Sequence, residues 1–304
     1  MHLTFLGTGG AWGLPELNCD CFICRQMRRK NETRQRTALL LQGTENLLVD
    51  CGPDIAAQLS RHHVPRPDAV LITHEHGDHY VGLDELFSYK RTAPKEGFAP
   101  IPVYLTAQSR QTIRLRFDYL EEIGVIRTFA VNPGKPFRTA DFEITPFKTD
   151  HGAFASGSIG YILKNQTMRL VYTSDFVDVP EDIFGLFQPD YLIIQSFYFN
   201  EPVDNHGRHM SFQRALDFIR RWQPKKETFL VHIGDADWVP DDPANHAVKK
   251  KSAPNPMKSP LDGRPYPVPL DHAQWQAQVD RIIRDFGLAH KITVAHDDLV
   301  VELK

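Results

Sequence analysis

Residues 73–79 read Thr-His-Glu-His-Gly-Asp-His, directly after the apolar run Ala69-Val-Leu-Ile72. That run has the length and composition of a short buried strand. It delivers His74, His76, Asp78 and His79 to a single strand end. So dense a set of nitrogen and oxygen donors suits zinc, manganese or iron(II) better than calcium, which takes oxygen ligands. His74 and His76 can serve one ion while Asp78 and His79 serve a second. As a merely solvated turn, the stretch would require four ligand-type residues to gather by accident. Further donors fall at other predicted strand ends. His151 follows Phe142-Glu-Ile-Thr-Pro-Phe147, Asp175 closes Leu170-Val-Tyr-Thr-Ser-Asp175, and His232 closes Thr228-Phe-Leu-Val-His232. One such residue alone would more often be structural. Three of them, beside the 73–79 cluster, point to a shared metal site.

Around these positions, predicted strands alternate with helices and no repeat is present. Strands are expected at 3–6, 37–41, 46–50, 69–73, 102–105, 126–131, 141–147, 159–163, 169–173, 190–195, 228–232 and 298–303. Helices are expected near 53–60, 79–88, 107–120, 180–186, 211–221 and 271–285, with Ser211 as an N-cap. The pattern is that of an α/β protein. With 304 residues, 41% hydrophobic and 24% charged, the chain can build a sizeable core. It reads as one domain over 1–304 with a loop insertion at 235–270. The insertion is proline-rich, carries Lys249-Lys250-Lys251 and lacks apolar periodicity, which suits a lid, a partner surface or a tolerated excursion. The basic run Arg25–Arg36 reads as a solvated face. A net charge of −3 gives no basic field for gripping nucleic acid. The N-terminus lacks a basic leader and no apolar run reaches membrane-spanning length, so a cytoplasmic protein is expected. Of four cysteines, Cys19, Cys21 and Cys24 crowd together, and in such a chain clustered thiols suggest metal before disulfides. Cys51 stands apart as a small core residue.

Taken together, the set resembles the metallo-β-lactamase superfamily, whose His-x-His-x-Asp-His motif is intact as His74, His76, Asp78 and His79. The resemblance spans most of the chain. It implies a four-layer αββα sandwich with metals at one edge of the sheets. It also implies that His74, His76 and His151 hold one metal, that Asp78, His79 and His232 hold the other, and that Asp175 bridges them. Two such ions, zinc or manganese or iron, can share a hydroxide and stabilise attacking and leaving oxygens together.

The N-terminal run Gly7-Thr-Gly-Gly-Ala-Trp-Gly-Leu-Pro15, with Cys19-Asp-Cys21-Phe-Ile-Cys24, is similar to one branch of that superfamily. The branch includes cyclic-phosphate phosphodiesterases of the carbon–phosphorus lyase pathway and the pyrroloquinoline quinone biosynthesis protein B. There the three cysteines hold a structural zinc, completed by a histidine three residues after the last catalytic one. This chain has Asp235 at that position, so the fourth ligand is Asp235, a water or a histidine of the insertion such as His246. The branch also implies a role for a histidine in Arg208-His-Met-Ser-Phe-Gln213. His209, with His206 as fallback, would stabilise the scissile phosphate or protonate the leaving oxygen.

The resulting expectation is a metal-dependent phosphodiesterase acting on a small, cyclic phosphodiester, with Asp78 and His209 in the catalytic set. The expected partner is that small molecule, neither membrane nor nucleic acid, and a homodimer is compatible with the reading. The alternatives are a tRNase Z-like nuclease, a lactonase or thioesterase, and a cofactor-biosynthesis protein like the quinone protein B. The complete metal motif favours a working hydrolase.

Overall fold

The computed structural model describes residues 1–205, 209–250 and 254–304. In chain order its first half contains β1 (His2–Gly7), α1 (Phe22–Lys30), β2 (Ala38–Gln42), β3 (Asn46–Val49), α2 (Ile55–Arg61) and β4 (Ala69–Leu71). Then come α3 (Gly77–Tyr80), α4 (Phe87–Thr92), β5 (Ile101–Thr106), α5 (Ala107–Glu122) and β6 (Ile126–Val131). The second half runs β7 (Phe137–Arg138), β8 (Glu143–Lys148), β9 (Ile159–Lys164), β10 (Arg169–Tyr172), β11 (Tyr191–Gln195) and β12 (Glu201–Pro202). It ends with α6 (Phe212–Trp222), β13 (Glu227–Val231), β14 (Pro254–Asn255), α7 (His272–Asp285), β15 (Ile292–Val294) and β16 (Leu299–Glu302). One seven-stranded sheet has the order β16-β1-β2-β3-β4-β5-β6. The other, also of seven strands, has the order β15-β13-β11-β10-β9-β8-β7. β12 and β14 pair separately.

The strands are apolar on both faces because both faces are covered. In β2, Leu39 and Leu41 face the core between the sheets, while Leu40 joins the layer under α2 and α5. That is the period of two expected of a strand packed on both sides. From the second sheet, Ile144, Tyr161, Leu170, Ile193 and Phe229 fill the same inter-sheet core. Its outer face carries α6 and α7 through Phe218, Trp222, Trp275, Val279 and Ile282. The order of layers is helix, sheet, sheet, helix. Each fully buried leucine contributes about 1.5–3 kcal/mol by removal from water. Ser211 caps α6, its side chain accepting from Arg214 N at 3.0 Å.

Three local expectations are corrected. The segment 79–88 is not one helix: α3 gives way to a 3-10 stretch at Val81–Leu86 through Tyr80, whose φ is −141°. Of 180–186, only Phe184–Leu186 turns, as a 3-10 helix. The basic run Arg25–Arg36 is not one solvated face. Its first half lies on α1, which buries Ile23, Cys24 and Met27 beneath it. Arg34 beyond the helix is buried, donating to Thr8 Oγ1 at 2.8 Å and Ala295 O at 2.6 Å. Among the described residues no helix is long and apolar enough to cross a membrane.

Candidate metal centre

The strands of both sheets end their apolar runs at a common edge, and the polar residues that follow converge there. Past β4, Thr73 and His74 are fully buried, and α3 carries Asp78 in its first turn and buried His79 in its last. The turn after β8 carries His151, the turn after β10 carries Asp175, and His232 directly follows β13. Asp50, Ser174 and His232 each take positive φ there, at 62°, 58° and 57°. For residues other than glycine this costs about 1–2 kcal/mol apiece. Sharp strand-end turns are bought at that cost.

The donor atoms fall into two groups, each within 4.8 Å: His74, His76 and His151 in one, and Asp78, His79, Asp175 and His232 in the other. In the first, His76 Nδ1 lies 3.1 Å from His151 Nε2. In the second, His79 Nε2 lies 3.0 Å from Asp78 Oδ2, and His232 Nε2 lies 3.0 Å from Asp175 Oδ2. Asp175 Oδ2 is also 3.7 Å from His79 Nε2 and 3.7 Å from His151 Nε2, so it faces both groups. Burial opposes the charge on Asp175 and Asp78, yet the surrounding imidazoles, His79 and His232 foremost, hold both carboxyls well below the usual carboxylate range. His74 Nε2, His79 Nε2, His232 Nε2 and Asp175 Oδ1 are buried without a hydrogen-bond partner. Buried polar atoms are normally paired. Four orphans aimed at one space are what divalent cations would satisfy, so these residues fit the group.

A backing layer orients the rings. Asp50 Oδ2 accepts from His79 Nδ1 at 2.8 Å, which leaves the bare Nε2 facing the site. Asp50 Oδ1 also accepts from Thr73 N at 2.9 Å, and Thr73 Oγ1 donates to the same carboxylate. That hydroxyl lies 3.0 Å from His74 Nδ1 and can accept its proton. Gln195 is the second such residue. Its Oε1 accepts from Phe176 N at 2.9 Å and Met210 N at 3.2 Å. Backbone N–H groups only donate, so the amide is fixed with Nε2 toward His209 Nδ1 at 2.9 Å and His232 Nδ1 at 3.1 Å. Neither Asp50 nor Gln195 is among the sequence-derived candidates. The strand-end rule that exposes His232 applies to both, since each terminates an apolar run.

His209 joins the site, with Nδ1 at 3.7 Å from Asp175 Oδ2 and its ring 4.9 Å from that of His151. Phe197 stacks on it at 4.5 Å. Burial pushes the His209 imidazolium down to about 3, leaving the ring neutral. His206 lies outside the described residues. A Cβ at Gly10 or Gly234 would come within 2.8 Å or 2.5 Å of the Phe197 ring, so both glycines are required by close approach. Glu75, the centre of the His-x-His pair, turns the other way, accepting from Ser109 Oγ at 2.8 Å and Gly157 N at 3.1 Å. Cys51 is buried near α3 and burial pushes its thiol up, so it stays protonated.

A separate cluster gathers Cys19, Cys21, Cys24 and Asp235, again within 4.8 Å. His246 sits exposed in the turn Pro243–His246 and is not in it. A surface cavity of about 590 Å³ lined by Arg138, Asp141, Lys164 and neighbours contains none of these residues.

The family model described as Beta-lactamase superfamily domain matches residues 45–233, more than half of the chain. The chain belongs to the beta-lactamase superfamily. The chain is also similar to an octanoyltransferase of Porphyromonas gingivalis, 29% identical over 242 residues. The match covers 77% of this chain and 46% of that protein, so the chain spans about half the length of this relative. Among solved structures, a new diphosphatase of the PhnP family superposes with a TM-score of 0.69 at 21% identity, covering 99% of this chain and 96% of that one. Zn(2+)-bound PqqB of Methylobacterium extorquens superposes at 0.70 and 20% identity, covering both chains fully (100% each). These superpositions show the metallo-β-lactamase fold, the αββα sandwich described above.

Proposed function

We propose that this superfamily member is a metal-dependent hydrolase of small phosphodiesters, cyclic ones foremost. The observation that carries the reading is Asp175 facing both donor groups, with His209 beside it on the Phe197 ring. His74, His76 and His151 would hold one divalent ion, and Asp78, His79 and His232 the other, with Asp175 shared. Zinc, manganese or iron bound there supplies Lewis acidity and lowers the pKa of water toward neutrality.

The chain's own residues supply the remainder. Asp50 and Thr73 hold His79 and His74 with Nε2 toward the substrate space. Gln195 and Phe197 fix the plane of His209. The neutral ring of His209, whose Nδ1 accepts from Gln195 Nε2, carries its hydrogen on Nε2 and offers it to a phosphoryl oxygen. That N–H can stabilise the leaving oxygen at the site where charge develops. Asp175 and Asp78 stay ionised throughout, held so by their imidazole neighbours.

Three features support a phosphodiester over a carbonyl substrate: the position of His209, the Cys19–Cys24 motif, and the likeness in fold to the diphosphatase. The net charge of −3 supports a small substrate over a polynucleotide. An ester or thioester is the second reading, favoured by the similarity to the octanoyltransferase. The deciding experiment assays metal-analysed protein, with manganese or zinc, against a cyclic ribose phosphate, bis(p-nitrophenyl) phosphate, a tRNA precursor, a lactone and a thioester. The expected result is turnover of the diesters, with the cyclic one fastest. Turnover confined to the lactone or thioester would overturn the reading.

A further inference from the structure

Lys249 and Lys250 of the insertion turn inward, while Lys251 lies outside the described residues. Lys249 Nζ lies 2.9 Å from Cys19 Sγ and pairs with both Asp235 and Glu16. Lys250, its side chain wholly buried, donates to Asp235 O at 2.8 Å and Asp237 O at 2.7 Å. A segment some fourteen residues further along the chain is thus strapped back onto the loop that carries Asp235.

Two of the three sulfur–oxygen distances in the cysteine cluster match a tetrahedral site, and the third is shorter. Asp235 Oδ2 lies 3.0 Å, 3.5 Å and 3.8 Å from the sulfurs of Cys24, Cys21 and Cys19. Donors placed about 2.0–2.3 Å from a zinc ion at tetrahedral angles are about 3.3–3.8 Å apart. Three backbone N–H groups already point at the sulfurs: Glu16 N at Cys24 Sγ, Cys21 N at Cys19 Sγ and Cys24 N at Cys21 Sγ. Such donors favour thiolates. The difficulty is charge. Three thiolates and a carboxylate exceed a divalent ion by two negative charges, whereas an imidazole as fourth ligand would leave an excess of one. A buried excess of that size requires a nearby cation.

We propose that Lys249 is that cation: its ammonium, hydrogen-bonded to the Cys19 sulfur and paired with Asp235, makes a carboxylate workable as the fourth ligand of a Cys3Asp zinc site. The fold of 243–250 and the occupancy of the cysteine site are then one event. On this reading Lys249 belongs to the metal site rather than to a free surface of the insertion.

The test uses the full chain in a two-by-two set: wild type, Lys249→Met, Asp235→His and the double variant. Each is stripped of metal and titrated with zinc against a chromophoric chelator, and alkylation of Cys19, Cys21 and Cys24 is followed by mass spectrometry. Lys249→Met should weaken zinc binding at the cysteines at least tenfold with Asp235 present, and less than twofold with Asp235→His. Lys249→Arg, which keeps the charge, should stay within about threefold of wild type and guards against a mere folding defect. Equal losses in both backgrounds would overturn the proposal. So would unchanged affinity in Lys249→Met, or cysteines alkylated equally fast with and without zinc.

Discussion

The two donor clusters are assembled in opposite ways. The catalytic candidates come from strand ends of both sheets, spread from His74 to His232, and His74, His79, His209 and His232 are each braced by a buried side chain. The cysteine cluster draws three donors from six consecutive positions at the start of α1, and only Asp235 arrives from afar. The first can exist only when the whole sandwich has formed, so it is preorganised by the fold. The second is a local knot whose shape depends on what it holds. Perturbing the first should cost chemistry, and perturbing the second should cost metal and local order.

The sharpest break is Asp175→Ala, which removes the one carboxylate facing both groups. Turnover should fall by more than about 10⁴-fold, beyond the usual span for loss of a general acid, and elemental analysis should show loss of metal from this cluster. Retained turnover would dissolve the idea of a shared centre. His209→Ala comes next. Turnover should drop by about 10²–10⁴-fold while metal content stays at the wild-type value, and equal activity would remove His209 from the reaction. Asp50→Asn should loosen metal at His79 by about 10–100-fold, read by chelator competition.

Gln195 sharpens the comparison within the candidate metal centre itself. His79 backs onto an acceptor, but His232 backs onto a donor amide, which places the neutral ring's proton on Nε2, the atom facing Asp78 and Asp175. The second group should therefore be the looser, and Gln195→Glu should tighten its grip on metal by about tenfold. A looser grip in that variant would contradict the assigned amide orientation.

The smallest expected effect is a control at a residue that belongs to neither cluster. His272 lies 3.2 Å from an Arg34 nitrogen, and burial, followed by the charge of Arg34, lowers its pKa to about 4. Its folded pKa is below its unfolded one, so its stabilising contribution is present above about 6.5 and is lost as pH falls toward 4. In metal-free protein, His272→Gln should flatten the acid side of the melting-temperature profile. An unchanged profile would assign that acid sensitivity elsewhere.

The cluster of His74 to His232 was largely legible because its residues obey a one-dimensional rule: an apolar run ends and a ligand-type side chain follows. The sheets made the same rule visible in Leu39 to Leu41, all apolar because helices cover one face and a second sheet the other. Asp50 and Gln195 satisfy that rule too, but their importance lies in the partner each meets, and a partner is a tertiary fact. Lys249 is the extreme case. Its role depends on Glu16, which is 233 residues away in the chain. The basic stretch on α1 misleads for the converse reason, since its arginines hide the Ile23, Cys24 and Met27 face beneath them.

The glycine turn after β1 has a mechanical consequence. Gly9 N donates to Gln35 O at 2.7 Å beside the first sheet, while Gly10 N donates to Ile233 O at 3.1 Å and Ile233 N to Thr8 O at 3.0 Å beside the second. This main-chain stitch joins the two halves of the sandwich at the mouth of the candidate centre without using any ligand side chain. Ions can then enter and leave while the sheets stay closed, the turn acting as a hinge pin that bears the load. Slow amide exchange at Gly10 and Ile233 in metal-stripped protein would be its signature, and fast exchange there would show that the ions themselves hold the mouth shut.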